Sequence, residues 1–396
     1  MNIQSHAPTD DRGRGRQTLS ANAGNDAQFH LLSAAAALPD SPGRALDALL
    51  AAWQVRRAPG IADLIDRLDR LTAVGRDPLF GRSRVEAHEQ WLEVEAAGDS
   101  RDLGRLMAAL INGPTSDSVE RVLRLRKRPA DPRLAAGMIA LVVEQPCSAG
   151  FRPFWKPVFE ILEDSADPRL IPALAERLVA HRVRGRVFDE YLRAHLKLLL
   201  AKYQHRFGQH SQPLNLAMQA LITELSHGLS SLEESHHRRE RIEQDFLKAI
   251  WAAPDEDAPR LVFADWLQEQ ADPRGEFITL QLARHLGTLG TSGRAREREL
   301  LRRHSRQWLG PIAPAILNGG LRFERGFVVG CALSASESPG IDALSVHAAW
   351  STVKEFSAGK VAKENRARLI AHLLALGANR PTAPVQGFVG SWSNDL

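Results

Sequence analysis

The residue types best suited to chemistry crowd between positions 260 and 276, where Arg260, Asp265, Asp272, Arg274 and Glu276 stand beside Trp266. Three acids and two bases in so short a stretch could share acid–base work if burial drove their pKa values apart. The same residues also suit helix caps, a buried arginine–carboxylate pair and a tryptophan anchor for a helical hairpin, and we read them as structural. Fourteen histidines raise the question of a metal. His205, His210, His227, His236 and His237 cluster in sequence, but their spacing forms no His-Glu-x-x-His helix and no cysteine pair joins them, so they read as surface side chains. Cys147 would need a histidine beside it in space to act as a nucleophile, and we read it as inert. Gly319 and Gly320 lie near no Gly-Lys-Ser/Thr signature, and Gly359-Lys360 lacks the rest of a phosphate loop. The expectation is no cofactor, no metal and no catalytic residue.

Charge gives a second kind of candidate. The net charge is +4, and eight of the 51 basic residues are lysine, the rest arginine, a bias that genome composition can also produce. Between Arg101 and Arg128 seven basic side chains face three acidic ones. Arg121, Arg124 and Arg128 recur at i, i+3 and i+7 with Lys127 beside them, which predicts one solvent-facing basic stripe able to meet an acidic protein or nucleic-acid phosphates.

Helices must position these residues. Ile61, Leu64, Ile65, Leu68 and Leu71 form one stripe at helical spacing, and Leu103, Leu106, Met107, Leu110 and Ile111 form another. Asp117 with Glu120 reads as the opening of the next helix. Ala130-Asp131-Pro132-Arg133-Leu134 recurs 36 residues later as Ala166-Asp167-Pro168-Arg169-Leu170, and each copy reads as a helix start. Stripes follow at Leu134, Met138, Leu141 and Val142, then at Leu170, Ile171, Leu174 and Leu178. Partner helices carry Trp155, Val158, Phe159 and Leu162, and Leu192, Leu196, Leu199 and Tyr203. One helix pair per 36 residues is close to the period of stacked arrays, and the region resembles HEAT-like repeats; an irregular helical bundle is the alternative. Some HEAT-like arrays hold DNA along a basic concavity, and the resemblance makes nucleic acid the second partner class.

Farther on, Ile242, Phe246, Leu247 and Ile250 line a helix ending before Pro254, and the next helix is read with Leu261, Val262 and Leu267 inward. Asp272-Pro273-Arg274-Gly275 then makes a turn before a third helix at Phe277 and Leu280. Phe246-Leu247-Lys248-Ala249-Ile250, Pro254-Asp255-Glu256-Asp257, Arg260-Leu261-Val262-Phe263-Ala264-Asp265-Trp266-Leu267 and Asp272-Pro273-Arg274-Gly275-Glu276-Phe277-Ile278 together resemble the bacterial repeat-companion domain. Arg302-Arg303-His304, Trp308-Leu309-Gly310-Pro311 and Arg325-Gly326-Phe327-Val328 resemble what trails that domain in the family. The resemblance implies a module found beside repeats, often leucine-rich ones, with no established catalysis. The leucine-rich run that should come next is missing or vestigial here, a departure from the family's pattern that bears on any leucine-rich binding surface.

Leu321, Phe323, Phe327 and Val329 alternate around Glu324-Arg325-Gly326 and predict a strand or hairpin after a turn at Asn318-Gly319-Gly320. Leu369, Ile370, Leu373 and Leu374 mark a last helix, ended by Gly377 and Pro381, with Phe388 and Trp392 in the terminus beyond. The expected fold is mainly α: a HEAT-like α-solenoid or irregular helical array, a small helical companion domain and a short α+β C-terminal region. The expected division is a disordered basic tail over 1–28, a helical-repeat domain over 29–228, a companion domain over 229–312 after a polar linker from Ser226 to Glu240, and a small region over 313–396. With two cysteines and no apolar run near the roughly 20 residues of a bilayer span, the chain reads as cytoplasmic, without membrane insertion. The expected function is a non-enzymatic adaptor that binds another protein of unidentified nature through an extended helical surface.

Overall fold

Apolar side chains recurring at three- and four-residue steps wind into fifteen α-helices among the described residues, and a three-stranded sheet joins them near the C-terminus. The computed structural model describes residues 12–73, 76, 79, 84–113, 115–144, 151–179, 186–208, 213–317, 320–333, 346–357, 367–376 and 378. The expectations at Cys147, His210, Asn318-Gly319, Gly359-Lys360, Gly377, Pro381, Phe388 and Trp392 lie outside the described residues. The chain divides into two units, Met1–His236 and His237–Leu396.

The first unit contains α1 (Arg12–Ala37), α2 (Pro42–Val55), α3 (Pro59–Thr72), α4 (Arg84–Ala97), α5 (Leu103–Ala108), α6 (Thr115–Leu125), α7 (Pro132–Glu144), α8 (Arg152–Ser165), α9 (Leu170–Val179) and α10 (Arg186–Gly208). It also takes the first part of α11 (Leu216–Ala252), which runs on into the second unit. Leu31, Leu46, Trp53, Ile61 and Ile65 pack with Leu225 of α11 into one core. Trp91, Leu106, Val122, Met138, Trp155 and Leu196 belong to a second, drawn from α4 to α10. The stripes read around Asp131 and Asp167 are in place, and α7–α8 and α9–α10 form the two expected pairs.

Several boundaries differ from expectation. Helix α1 occupies much of the stretch read as a flexible tail, because Ala27, Leu31, Ala34 and Leu38 recur on one buried stripe. The segment from Leu103 to Ile111 is a six-residue helix followed by turns, and α6 opens at Thr115 rather than Asp117. The polar stretch from Ser226 to Glu240 is helical within α11, although the division between units does fall inside it. Its polar character reflects a helix with wide solvent exposure, which a loop reading could not separate from a linker.

In the second unit α11 is followed by α12 (Ala258–Glu269), α13 (Pro273–His285), α14 (Thr291–Trp308), β1 (Arg322–Glu324), β2 (Phe327–Ala332), β3 (Glu355–Ser357) and α15 (Ala367–Ala375). The predicted hairpin is β1–β2, antiparallel with Phe323 opposite Val328 and turned at Arg325 and Gly326, whose φ angles are +50° and +85°. The unforeseen strand β3 pairs parallel to β2, Cys331 opposite Phe356. Cys331 is a buried free thiol, and burial pushes its pKa up to about 12. Phe277 stacks on Trp308 at 4.4 Å and meets Phe323 edge-on at 5.9 Å, so the regions expected to separate at residue 312 share a core.

Asp272 caps α13 by accepting the backbone N–H of Arg274 at 3.0 Å. A methyl group at Gly275 would lie 2.7 Å from the Ala264 carbonyl oxygen and 2.8 Å from the Gln268 nitrogen, so glycine lets α12 and α13 approach backbone to backbone. Gly275→Ala should therefore lower the stability of the second unit by about 1–3 kcal/mol. Urea unfolding followed by tryptophan fluorescence would show this as a lower midpoint; an unchanged midpoint would mean that the two helices part without cost.

Candidate functional site

The basic residues of the first unit do not form an open stripe. Ser118, Arg121, Val122 and Leu125 recur at i, i+3, i+4 and i+7 and make the buried face of α6. Arg121, 2% exposed, donates from Nη1 to the carbonyl oxygens of Ala109 at 2.7 Å and Asn112 at 2.6 Å, and its Cζ lies 5.7 Å from the centre of the Trp91 ring. Burial lowers its pKa from the usual arginine range. Helix α6 ends at Leu125, so Lys127 and Arg128 lie in the following turn and the i+7 relation to Arg121 does not hold. Arg124 pairs with Glu120 at 3.3 Å and Glu95 at 3.8 Å, and Arg128 also reaches Glu95 at 3.8 Å. Lys127 is exposed. The apolar neighbours of Arg121 at helical spacing were the signal that it points inward.

In the second unit the segment from 260 to 276 divides by depth. Arg260, Phe263, Ala264 and Leu267 form the buried stripe of α12. Arg260 donates to the carbonyl oxygens of Glu256 and, at 2.6 Å, Pro254; its Cζ lies 5.3 Å from the Phe327 ring, and burial pushes its pKa down to about 10. Arg274 sits 4.9 Å from the same ring and 5.7 Å from that of Phe263, its pKa also lowered by burial. The expected arginine–carboxylate pair is instead made by Arg325, which donates to Asp257 Oδ1 at 2.9 Å and to the Asp255 carbonyl oxygen at 2.7 Å. Arg260 closes a turn by bonding main-chain oxygens, a role that residue type alone does not distinguish from ion pairing.

Trp266 is half-buried, its ring 5.6 Å from Phe246 and 6.1 Å from Phe263, with Arg239 Cζ 5.9 Å away. Glu276 pairs with Arg296 at 2.8 Å on the surface. Asp265 is exposed, and so are Leu261 and Val262, at 48% and 55%, which corrects their inward placement. With Phe263 and Leu267 at i and i+4 facing the core, positions 261 and 262 must fall on the opposite side.

A third recurrence was missed because serine replaces proline. Asp99-Ser100-Arg101 has the geometry of the two Asp-Pro-Arg sites of the first unit: the carboxylate accepts the arginine backbone N–H at 2.9 Å and the guanidinium turns back onto it at 2.8 Å. Arg133 bonds Asp131 and Asp69, while Arg169 bonds Asp167, Asp63 at 2.8 Å and Asp66 at 2.6 Å. Asp63, Asp66 and Asp69 step along α3, so that helix receives the arginines from both repeats. Two grooves of about 380 and 260 Å³ share Arg76 and Arg101, and both guanidiniums are held by Asp99, Arg76 at 2.9 Å and Arg101 at 2.8 Å. Those bonds, chiefly from Arg101, hold the Asp99 carboxyl well below the usual carboxylate range. Among the described residues no three His, Cys, Asp or Glu side chains come together as a metal site. No family model, curated protein or solved structure matches the chain.

Two outcomes follow from this geometry. Arg121→Ala leaves the carbonyls of Ala109 and Asn112 without their donor and should cost the first unit about 2–4 kcal/mol, against under about 0.5 for Lys127→Ala. Paired thermal melts would check this, and equal midpoints would return Arg121 to the surface. Because the folded pKa of Asp99 is depressed, its contribution to stability is complete above its unfolded value near 3.9 and is lost as pH falls through the folded value. Asp99→Asn should lower stability at pH 7 and shrink that deficit in acid, measured as melting temperature against pH; a deficit independent of pH would overturn the linkage.

Proposed function

We propose that the chain is a non-enzymatic interaction protein, an adaptor that presents the outer faces of packed helices to another protein. The observation carrying this reading is the exposure of large apolar side chains on otherwise well-packed helices: Leu198 of α10 at 59%, and Leu261 and Val262 of α12. Such side chains gain from leaving water, and a macromolecular surface is what can cover them along a helix. The acids and arginines singled out in the sequence mostly cap helices or hold one another, consistent with a scaffold. The resemblance of residues 241–285 to the repeat-companion domain, a module without established catalysis, points the same way, and the HEAT-like resemblance of the helix pairs supports an extended binding surface. Nucleic acid is the less favoured partner, since Arg121 is buried and Arg124 and Arg128 are paired. No helix among the described residues is long and apolar enough to cross a membrane. An unpaired, buried Cys331 suits a reducing setting, and we place the protein in the cytoplasm.

Crosslinking in the native cell, followed by affinity purification of the tagged chain under denaturing conditions, should give at least one protein in near-stoichiometric amount. Recovery of the chain alone, at full expression and after efficient crosslinking, would overturn the adaptor reading.

A further inference from the structure

Helix α12 carries two stripes. Arg260, Phe263, Ala264 and Leu267 face the core, while Ala258, Leu261, Val262, Asp265 and Glu269, at i, i+3, i+4, i+7 and i+11, are all exposed. The outer stripe is itself divided: its first turns are apolar and its last two positions acidic. The only cation in α12, Arg260, is buried. Glu256 is exposed just before the helix, and Glu256, Asp265 and Glu269 form no ion pair among the described residues. Asp255 and Asp257 in the same turn are held by Lys354 and Arg325 at 2.9 Å each. Along the flank, Arg239 lies over Trp266 and pairs with Asp272 at 3.5 Å, which closes that edge with its charge engaged. What faces solvent is an apolar patch with open carboxylates at both ends.

Resting on the adaptor reading, we propose that this outer face of α12 docks a basic, amphipathic helix of a partner protein. Apolar side chains of the partner cover Leu261 and Val262, and its lysines or arginines meet Glu256 at one end and Asp265 and Glu269 at the other. The occupant follows from charge complementarity: an acidic helix would bring like charges against three unpaired carboxylates, and a purely apolar one would strip water from them without replacement. The twelve residues of α12 span about 18 Å, room for a partner helix of about three turns.

The test uses the full chain and two labelled probes, an amphipathic leucine–lysine helical peptide and its leucine–glutamate counterpart, read by fluorescence anisotropy at about 50 mM salt. The basic peptide should bind and weaken as salt rises to about 200 mM, and the acidic one should not bind. Leu261→Ser with Val262→Ser, and separately Asp265→Lys with Glu269→Lys, should each weaken binding about tenfold or more, while Val85→Ser, at another exposed apolar position, leaves it unchanged. Both double variants alter exposed positions and should melt like the parent; if one does not, the other decides. Absence of binding by the basic peptide up to about 1 mM, equal binding of both peptides, or binding untouched by the decisive variant would each overturn the proposal. Any of those results beside a crosslinked partner leaves the adaptor reading standing without this surface, whereas a chain that crosslinks to nothing sinks the adaptor reading itself.

Discussion

Every α-helix ends with carbonyl oxygens that have lost their intrahelical donors, and in a protein of many short helices those ends are a recurrent cost. Here arginine closes several of them. Arg121 reaches the carbonyls beyond α5, Arg57 that of Asp164 near the end of α8 at 2.7 Å, Arg177 those of Val142 and Val143 at the end of α7, and Arg274 that of Trp308 at 3.4 Å. Arg260 and Arg325 serve the turn after α11. A planar guanidinium offers five donors in a fixed fork and can hold two or three oxygens at once, which a lysine ammonium on its flexible stem does less well. The shortage of lysine, which the sequence alone could assign to genome composition, thus has a mechanical counterpart in the fold.

The same side chain works from the other direction at helix starts. An aspartate takes the exposed backbone N–H, the arginine two residues on turns back onto it, and at two of the three such sites in the first unit the free arm of the fork crosses to α3. Asp63, Asp66 and Asp69 on α3 therefore tie residues more than sixty positions apart in sequence to one helix. Because these pairs are partly buried, the favourable contact at each is offset by the loss of water around both charges.

Much of this organisation was legible. Stripes such as Ile61 to Leu68 and Leu192 to Tyr203 identify their helices because a period near 3.6 has no other cheap explanation, and the hairpin around Arg325-Gly326 follows from alternation. Depth was harder to read. The i, i+3, i+7 spacing of Arg121, Arg124 and Arg128 looked like a surface, yet Ser118, Val122 and Leu125 put Arg121 on the inner face and the helix stops before the pattern completes. Leu261 and Val262 show the converse: their apolar character predicts burial, and only the register set by Phe263 and Leu267 turns them outward. Strand β3 could not be foreseen, since a three-residue edge strand joined to a distant partner leaves almost no local pattern.

Latches differ in what can undo them. In the second unit the turn after α11 is fastened largely by guanidinium on main-chain oxygen, and neither member of such a bond changes protonation anywhere below the value near 10 to which Arg260 is pushed. The first unit relies instead on carboxylate clasps at Asp63, Asp69, Asp99 and Asp131, and among them the Asp99 carboxyl is held well below the usual range by its bonds from Arg101 and Arg76. Acid strong enough to protonate Asp99 should therefore cost the first unit that clasp, whereas the guanidinium-to-carbonyl fastening of the second has no proton to gain.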